Sequence, residues 1–385
     1  MSSARDVSVY VHFPWCLKKC PYCDFATRGE PRENIPSAAY SDAVLREMER
    51  RADSLADARL VSVFFGGGTP SLWAPPELGR VLAAIRGAAG SVAPDLEITA
   101  ECNPSSLDET SAAGLAEAGI NRLSIGVQSL RDEHLKFLGR LHDREGALRA
   151  IRAALGVTGR VSADLMFGMP GQTADALNLD IDELVGTGVE HISAYTLTIE
   201  PGTQFGELKK RGRLPLAPDD DVALMFEGVE ARLAGHGFEH YEVSNYARPG
   251  ARARHNMHYW QMGSYVGLGA AAVGCLRTEV GGRRWRNEPD PAKYMRADTV
   301  AATEAEIEVL SQEDSLREAF MLGLRLSEGL DLARVKAALG ADPLAGREGV
   351  LARRVASGDL VNSGSFLRVP HGRWLMLDSI VADLF

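Results

Sequence analysis

Cysteine is scarce in this chain of 385 residues: there are five, and three of them lie between Cys16 and Cys23. A disulfide framework spread through the fold is therefore excluded, and a local metal or redox site is what such a cluster suits. Cations are outnumbered as well, 42 Lys and Arg against 52 Asp and Glu for a net charge of −10, which argues against a nucleic-acid partner. Long apolar runs are missing. The longest uncharged, mainly apolar stretch, 265–276, has 12 residues and includes three glycines, too short to span a bilayer. The opening segment MSSARDVSVYVHF has no uninterrupted apolar core followed by a small-residue cleavage site, so no signal peptide is expected and the chain reads as soluble and cytoplasmic. What is present is ordinary globular composition, 45% hydrophobic with 39 Gly and 18 Pro, at a length that suits two or three domains.

Up to about residue 200, short β-branched runs at 7–13, 61–65, 96–102, 122–127, 161–167 and 191–198 alternate with helical spacing near 37–55, 75–89, 108–118, 143–155 and 173–187. Six strands separated by helices predict a parallel sheet, open or curled into part of a barrel. Further on, the pattern predicts a helix near 222–236, a mixed region to about 305 whose Gly-rich run 265–274 reads as packing, helices at 318–326, 332–339 and 351–357, and a hairpin over 360–377. The last part resembles a small winged-helix-like module. Three regions follow: a core over 1–235, a linking region over 236–305 and a C-terminal module over 306–385.

Each early strand runs straight into small or polar residues: the Cys16 loop, Gly66-Gly67-Gly68-Thr69, Glu101, Gln128, Asp164, and Thr196 with Thr198. In parallel α/β folds ligands bind at that edge, so these positions are expected to converge on one mouth. One polar residue after a strand is usually a turn or cap; the same feature on successive strands is harder to explain that way.

The sequence Cys16-Leu-Lys-Lys-Cys20-Pro-Tyr-Cys23 is a C-x3-C-x2-C cluster. Zinc would want four Cys or His ligands in two pairs, and no second cysteine pair exists, with Cys102 and Cys275 isolated. Three thiolates in a tight loop suit three irons of a [4Fe–4S] cube, leaving the fourth open to a ligand from outside the protein. His12, on the strand just upstream, reads as a structural hydrogen bonder.

This spacing after a first strand, with Tyr22 before the last cysteine, resembles the radical S-adenosylmethionine (SAM) superfamily. The resemblance implies a partial (β/α)6 barrel of the TIM type with a C-terminal α+β module. It also implies a cluster held by Cys16, Cys20 and Cys23, with SAM chelating the open iron and cleaved after one-electron reduction. The order YVHFPWCLKKCPYCDF, FFGGGTP, AECNP, IGVQSL and DLMFGMPGQT narrows the likeness to the group that holds the anaerobic coproporphyrinogen III oxidases and the HemW-type haem chaperones. Carried over by position, Tyr10 would sit near the cluster and Tyr22 beside the adenine. Gly67, Gly68 and Thr69 would meet the methionine end, and Glu101, Gln128, Arg140 and Asp164 would line the pocket.

Two features divide that group. Its oxidases resemble one another in a further cysteine two positions after the third, where this chain has Phe25. The segment His255-Asn-Met-His-Tyr-Trp260 matches the H-N-x-x-Y-W pattern that the chaperones share. An imidazole ligates haem iron and flat aromatics cover a porphyrin face, so His255, Tyr259 and Trp260 are the haem-binding candidates. His258 is an alternative ligand, and Arg252 and Arg254 are candidates for the propionates. The resemblance implies a haem chaperone that passes haem to an acceptor haem protein, respiratory proteins being one class. It further implies an electron donor such as flavodoxin or ferredoxin, and is compatible with a homodimer and with peripheral membrane association through the acceptor. Oxidative decarboxylation of coproporphyrinogen, or a radical reaction on an unknown substrate, are the alternatives.

Overall fold

The chain is described by a computed structural model over residues 5–385; the first four residues, part of the segment read for a signal peptide, lie outside the described residues. Six parallel strands alternate with helices as the periodicity predicts: β1 (Arg5–Phe13), α1 (Ser37–Arg50), β2 (Ala58–Gly67), α2 (Pro75–Ala88), β3 (Ser91–Cys102), α3 (Glu109–Glu117), β4 (Arg122–Gln128), α4 (Arg144–Leu155), β5 (Val161–Phe167), α5 (Ala174–Gly186) and β6 (His191–Thr196). The alternation within β1 shows why the sheet curls around a polar interior. Val7, Val9, Val11 and Phe13 are fully buried in the main apolar core. Ser8, Tyr10 and His12 face the other way, where Tyr10 stacks on Phe64 of β2 and meets the edge of the His12 ring. Strands buried on both faces need this kind of cover.

The rest of the chain completes the same sheet. After α6 (Asp219–Gly235) come β7 (Glu239–Glu242), β8 (Asn245–Ala247), α7 (Arg254–Trp260), β9 (Ser264–Leu268), β10 (Val273–Thr278), β11 (Gly281–Asn287) and β12 (Glu304–Leu310). The sheet order is β12-β11-β10-β9-β1-β2-β3-β4-β5-β6-β8-β7. The Gly-rich run read as packing is in fact a seventh parallel strand: β9 pairs with β1 in the register Tyr10↔Gly267. Glycine is required at 267 because a Cβ there would lie 2.1 Å from the Val273 carbonyl oxygen. Periodicity missed the strand because glycine removes the side chains that would have shown it.

The C-terminal part holds α8 (Gln312–Gly323), β13 (Leu330–Asp331), α9 (Leu332–Leu339), α10 (Glu348–Ala356), β14 (Val361–Asn362), β15 (Phe366–Arg368) and α11 (Leu377–Ala382). The helix predicted from 318 begins at Gln312, because Ser311 and Asp314 form a capping box there. The hairpin predicted over 360–377 is shorter than expected. Pro370 follows β15 without an N–H to extend the ladder, and His371–Met376 turns into a 3-10 segment instead. Among the described residues no helix is long and apolar enough to cross a membrane.

Candidate functional site

The strand ends converge. A cavity of about 410 Å³ at the carboxyl edge of β2 to β6 is lined by Cys16, Cys20, Tyr22, Cys23, Gly67, Gly68, Thr69, Glu101, Gln128, Arg140 and Asp164, a size typical of small-molecule sites. The cysteine loop leaves β1 through Trp15–Cys16, which pairs with Arg28–Gly29 and so closes the loop on itself. All three thiols are free and half-buried, whereas Cys102 is buried in the wall of the same cavity, at the end of β3, and Cys275 is buried in β10. The donor set therefore fits a cluster held by three thiolates with one position open.

The glycine strap is pinned to the end of β1. Gly68 N–H donates to the Phe13 carbonyl at 2.7 Å and Thr69 N–H to that of Trp15 at 2.8 Å. Gly67 adopts φ +102°, and a Cβ on it would lie 2.3 Å from the His12 ring. No other residue type brings backbone so close to both that ring and the cavity. Arg140 joins the loop to the barrel, donating to the Gly126 carbonyl at 2.8 Å and to Cys20 Sγ at 3.4 Å. Gln128 also holds a left-handed backbone, φ 69°, a strain that non-glycine residues accept mainly at functional positions.

Glu101 Oε2 accepts from Gly67 N–H at 3.0 Å, and Asp164 Oδ1 accepts from Ser124 Oγ at 3.3 Å. Burial pushes the Glu101 carboxyl up to about 7, with the nearby Asp164 charge adding to it. Burial likewise raises Asp164 to about 6, against hydrogen bonding from Ser193. Two carboxyls destabilised in this way are poised to accept the hydroxyls and ammonium of a polar ligand.

Tyr10 departs from expectation. It does not line the cavity but lies beneath it, its hydroxyl 3.0 Å from His12 Nδ1. His12 Nε2 in turn reaches the Ala26 carbonyl at 3.2 Å. Tyr10 thus supports the cysteine loop through His12, because it occupies an inward position one level below the strand ends. Burial lowers the His12 imidazole to about 4, so it acts as a neutral strut. Met166 and Tyr195 also line the cavity and were missed; each follows an inward residue by two on its strand (Asp164 and Ser193), so the period of two was the available signal.

The segment 255–260 behaves differently. It forms α7 across the opposite end of the barrel, and His255 is only 2% exposed. Its Nδ1 is 2.9 Å from Ser62 Oγ and its backbone N–H donates to Glu97 at 3.1 Å. Its ring stacks on Phe64 and contacts Tyr259. The haem-ligand candidate is therefore an interior side chain, with Nε2 lacking any hydrogen-bond partner. His258 is also buried and bonds the Ser264 carbonyl at 2.8 Å. Trp260 and His258 border a second cavity of about 480 Å³ between α7, β10 and the C-terminal part. Arg252 and Arg254 are not free for propionates, being engaged by Glu328 and Glu239, and by Asp95.

A family model of the radical SAM superfamily matches residues 10–184 and one of the HemN C-terminal domain matches 310–375. The chain is 39% identical over 279 residues to the heme chaperone HemW of Escherichia coli, covering 71% of each chain. It is 38% identical over 341 residues to the heme chaperone HemW of Mycobacterium tuberculosis, covering 87% of this chain and 85% of that one. It is also 37% identical over 337 residues to the mitochondrial radical S-adenosyl methionine domain-containing protein 1 of Danio rerio, covering 86% and 75%. The solved structure of E. coli coproporphyrinogen III oxidase shares the fold, with a TM-score of 0.81 at 20% identity over 99% of this chain and 90% of that chain. With its cysteine loop, glycine strap and paired carboxyls gathered at one mouth, the chain belongs to the HemW family of the radical SAM superfamily.

Proposed function

We propose that this chain is a haem chaperone: it binds haem at α7 and hands it to an acceptor haem protein, with a [4Fe–4S] cluster and SAM at the barrel mouth. The observation that carries this is the likeness, over most of the chain, to proteins named heme chaperones. Phe25, 56% exposed at the cavity rim, stands where the resemblance gives the oxidases a cysteine.

Cys16, Cys20 and Cys23 would hold the cluster, which with SAM supplies one-electron reductive chemistry drawn from a donor such as flavodoxin or ferredoxin. The chain's own part is positional. The Gly67–Gly68 strap presents backbone to the ligand, Glu101 and Asp164 accept its polar hydrogens, and Arg140 keeps Cys20 in place. Tyr22 packs with Phe137 and Ile199 on a small apolar cluster around Leu138 and Met169, an apolar flank for the adenine.

His255 is the haem ligand in this reading. Its Nδ1 faces a hydroxyl that fixes the ring, and its Nε2 is the unpaired atom an iron would take. Reaching it requires α7 to move off β2. The cavity beside Trp260 then gives the porphyrin an apolar bed, and Arg277, paired through Nη2 with Glu318 at 2.8 Å but with Nε and Nη1 unpartnered, lies on its wall with donors left for a second carboxylate. Anaerobic titration with haem tests this. A Soret band in the wild type that is lost in His255→Ala and kept in His258→Ala is expected. Loss in His258→Ala alone moves the ligand, and conversion of coproporphyrinogen to protoporphyrinogen by the wild type overturns the proposal.

A further inference from the structure

A second cluster of ligand-type side chains lies away from both sites, where the barrel meets the C-terminal part. Glu230 on α6, His240 on β7 and His371 in the 3-10 segment place one ligand atom each within 4.8 Å of one another. His371 Nδ1 lies 2.7 Å from Glu230 Oε1. The tautomer of His240 is the informative point. Its Nε2 is 3.1 Å from the Val243 carbonyl, a pure acceptor, so Nε2 carries the hydrogen. Nδ1 then presents a lone pair, with the same Glu230 Oε1, also an acceptor, 3.6 Å away. This buried Nδ1 has no hydrogen-bond partner. A proton on His371 satisfies the carboxylate but leaves His240 facing it, lone pair to lone pair.

A cation between the three atoms removes the conflict. The arrangement has the other marks of a metal site. The His240 N–H is held by a backbone carbonyl, the usual outer partner of a ligating histidine, and its ring is clamped between Tyr246 at 4.0 Å and Trp374 at 4.4 Å. Two imidazoles and one carboxylate suit Zn2+, whose tetrahedral ligand atoms stand roughly 3.3 Å apart for bonds of about 2.0–2.1 Å. The two separations from Glu230 Oε1, 2.7 and 3.6 Å, bracket that value, and the remaining one is within 4.8 Å. His371 and Glu230 are each about a third exposed, so water can complete the set.

We propose that Glu230, His240 and His371 form a Zn2+ site that clamps the C-terminal part onto α6 and β7. One ligand comes from each of three segments, and His371 is the one from the C-terminal part, so the ion would add a link between two regions already joined by ion pairs such as Arg325–Glu242 and Arg277–Glu318. The full chain, with its cluster loaded so that the cysteine loop cannot take zinc, is dialysed anaerobically against a micromolar free-Zn2+ buffer, and zinc and iron are counted together. One Zn2+ per chain beyond the iron is expected, with a zinc-dependent rise in melting temperature. The exposed substitutions His371→Ala and Glu230→Gln should each weaken binding by more than the ~10–100-fold that loss of an outer partner costs and abolish the rise, whereas His236→Ala should not. No uptake by the wild type, or uptake unchanged in His371→Ala, overturns the site; uptake without stabilisation overturns the clamp.

Discussion

The two ends of the barrel are built on opposite principles. At the carboxyl edge, strands stop in glycine, carboxyl and amide groups that turn towards a cavity, and three thiols stand free. At the other edge α7 closes the barrel, and His255, with nearly the same chemical capacity, is sealed against Phe64 and Ser62. Ser62 precedes Gly67 by five strand residues, so roughly 16 Å of sheet separates the floor of one site from that of the other. The open end is organised to receive a ligand as it stands, and the closed end must first give something up.

The largest test of that division is removal of the thiols. Cys16→Ala, Cys20→Ala or Cys23→Ala should each abolish the visible absorbance of the cluster and its iron, because the remaining two thiolates cannot hold a cube. Haem binding at α7 should persist, since no α7 residue lines the mouth. Parallel iron and Soret measurements read both, and loss of the two together would break the comparison.

Gly67→Ala is next. The methyl group would meet the His12 ring at 2.3 Å on a backbone with φ +102°, so the strap has to move. A stability cost of about 1–3 kcal/mol follows, together with loss of SAM binding in equilibrium dialysis while cluster iron is retained. Gly87→Ala in α2, where a Cβ meets nothing within 4 Å, should be neutral or stabilising by up to ~1 kcal/mol.

The carboxyls give a pH signature confined to the open end. Glu101 titrates near 7 in the fold against 4.5 in the unfolded chain, so the folded state binds the proton more tightly. Its stabilisation is complete below about 4.5 and is lost as pH rises through about 7. The ligand-free melting temperature should therefore fall between about pH 5 and about pH 8. Glu101→Gln should flatten the fall and exceed the wild type at the upper end by at most ~3 kcal/mol, while binding SAM more weakly. An unchanged slope would show that Glu101 does not titrate as a buried acid.

The difference between the ends also decides what could be read before the structure. Cys16, Glu101, Gln128 and Asp164 were legible because their chemistry and their position at strand ends point the same way. Tyr10 shares that sequence context, yet sits one level lower, and only the register Tyr10↔Phe64 shows it behind Gly66. The fold was readable from six alternating units, but β9 was hidden by its glycines. His255 was found as a motif, but its burial was not legible, because whether a helix lies on a barrel or in its end depends on Ser62, Phe64 and Glu97, far away in sequence.

The smallest predicted effect tests whether the closed end opens. Arg254 at the start of α7 is tied to the Asp95 carboxylate and donates to the Asp95 carbonyl at 2.6 Å. Both side chains are exposed, so the tie contributes only about 0.2–1 kcal/mol. If haem reaches His255 only when α7 lifts, the measured affinity is the intrinsic affinity scaled by the lifted fraction. Arg254→Ala raises that fraction and should tighten haem binding by up to about fivefold, the equivalent of ~1 kcal/mol. A helix that receives haem without lifting would show no gain, and a guanidinium that itself pairs a propionate would show a loss. The sign of this small change therefore separates a latch from a ligand contact, which the larger substitutions at His255 cannot do.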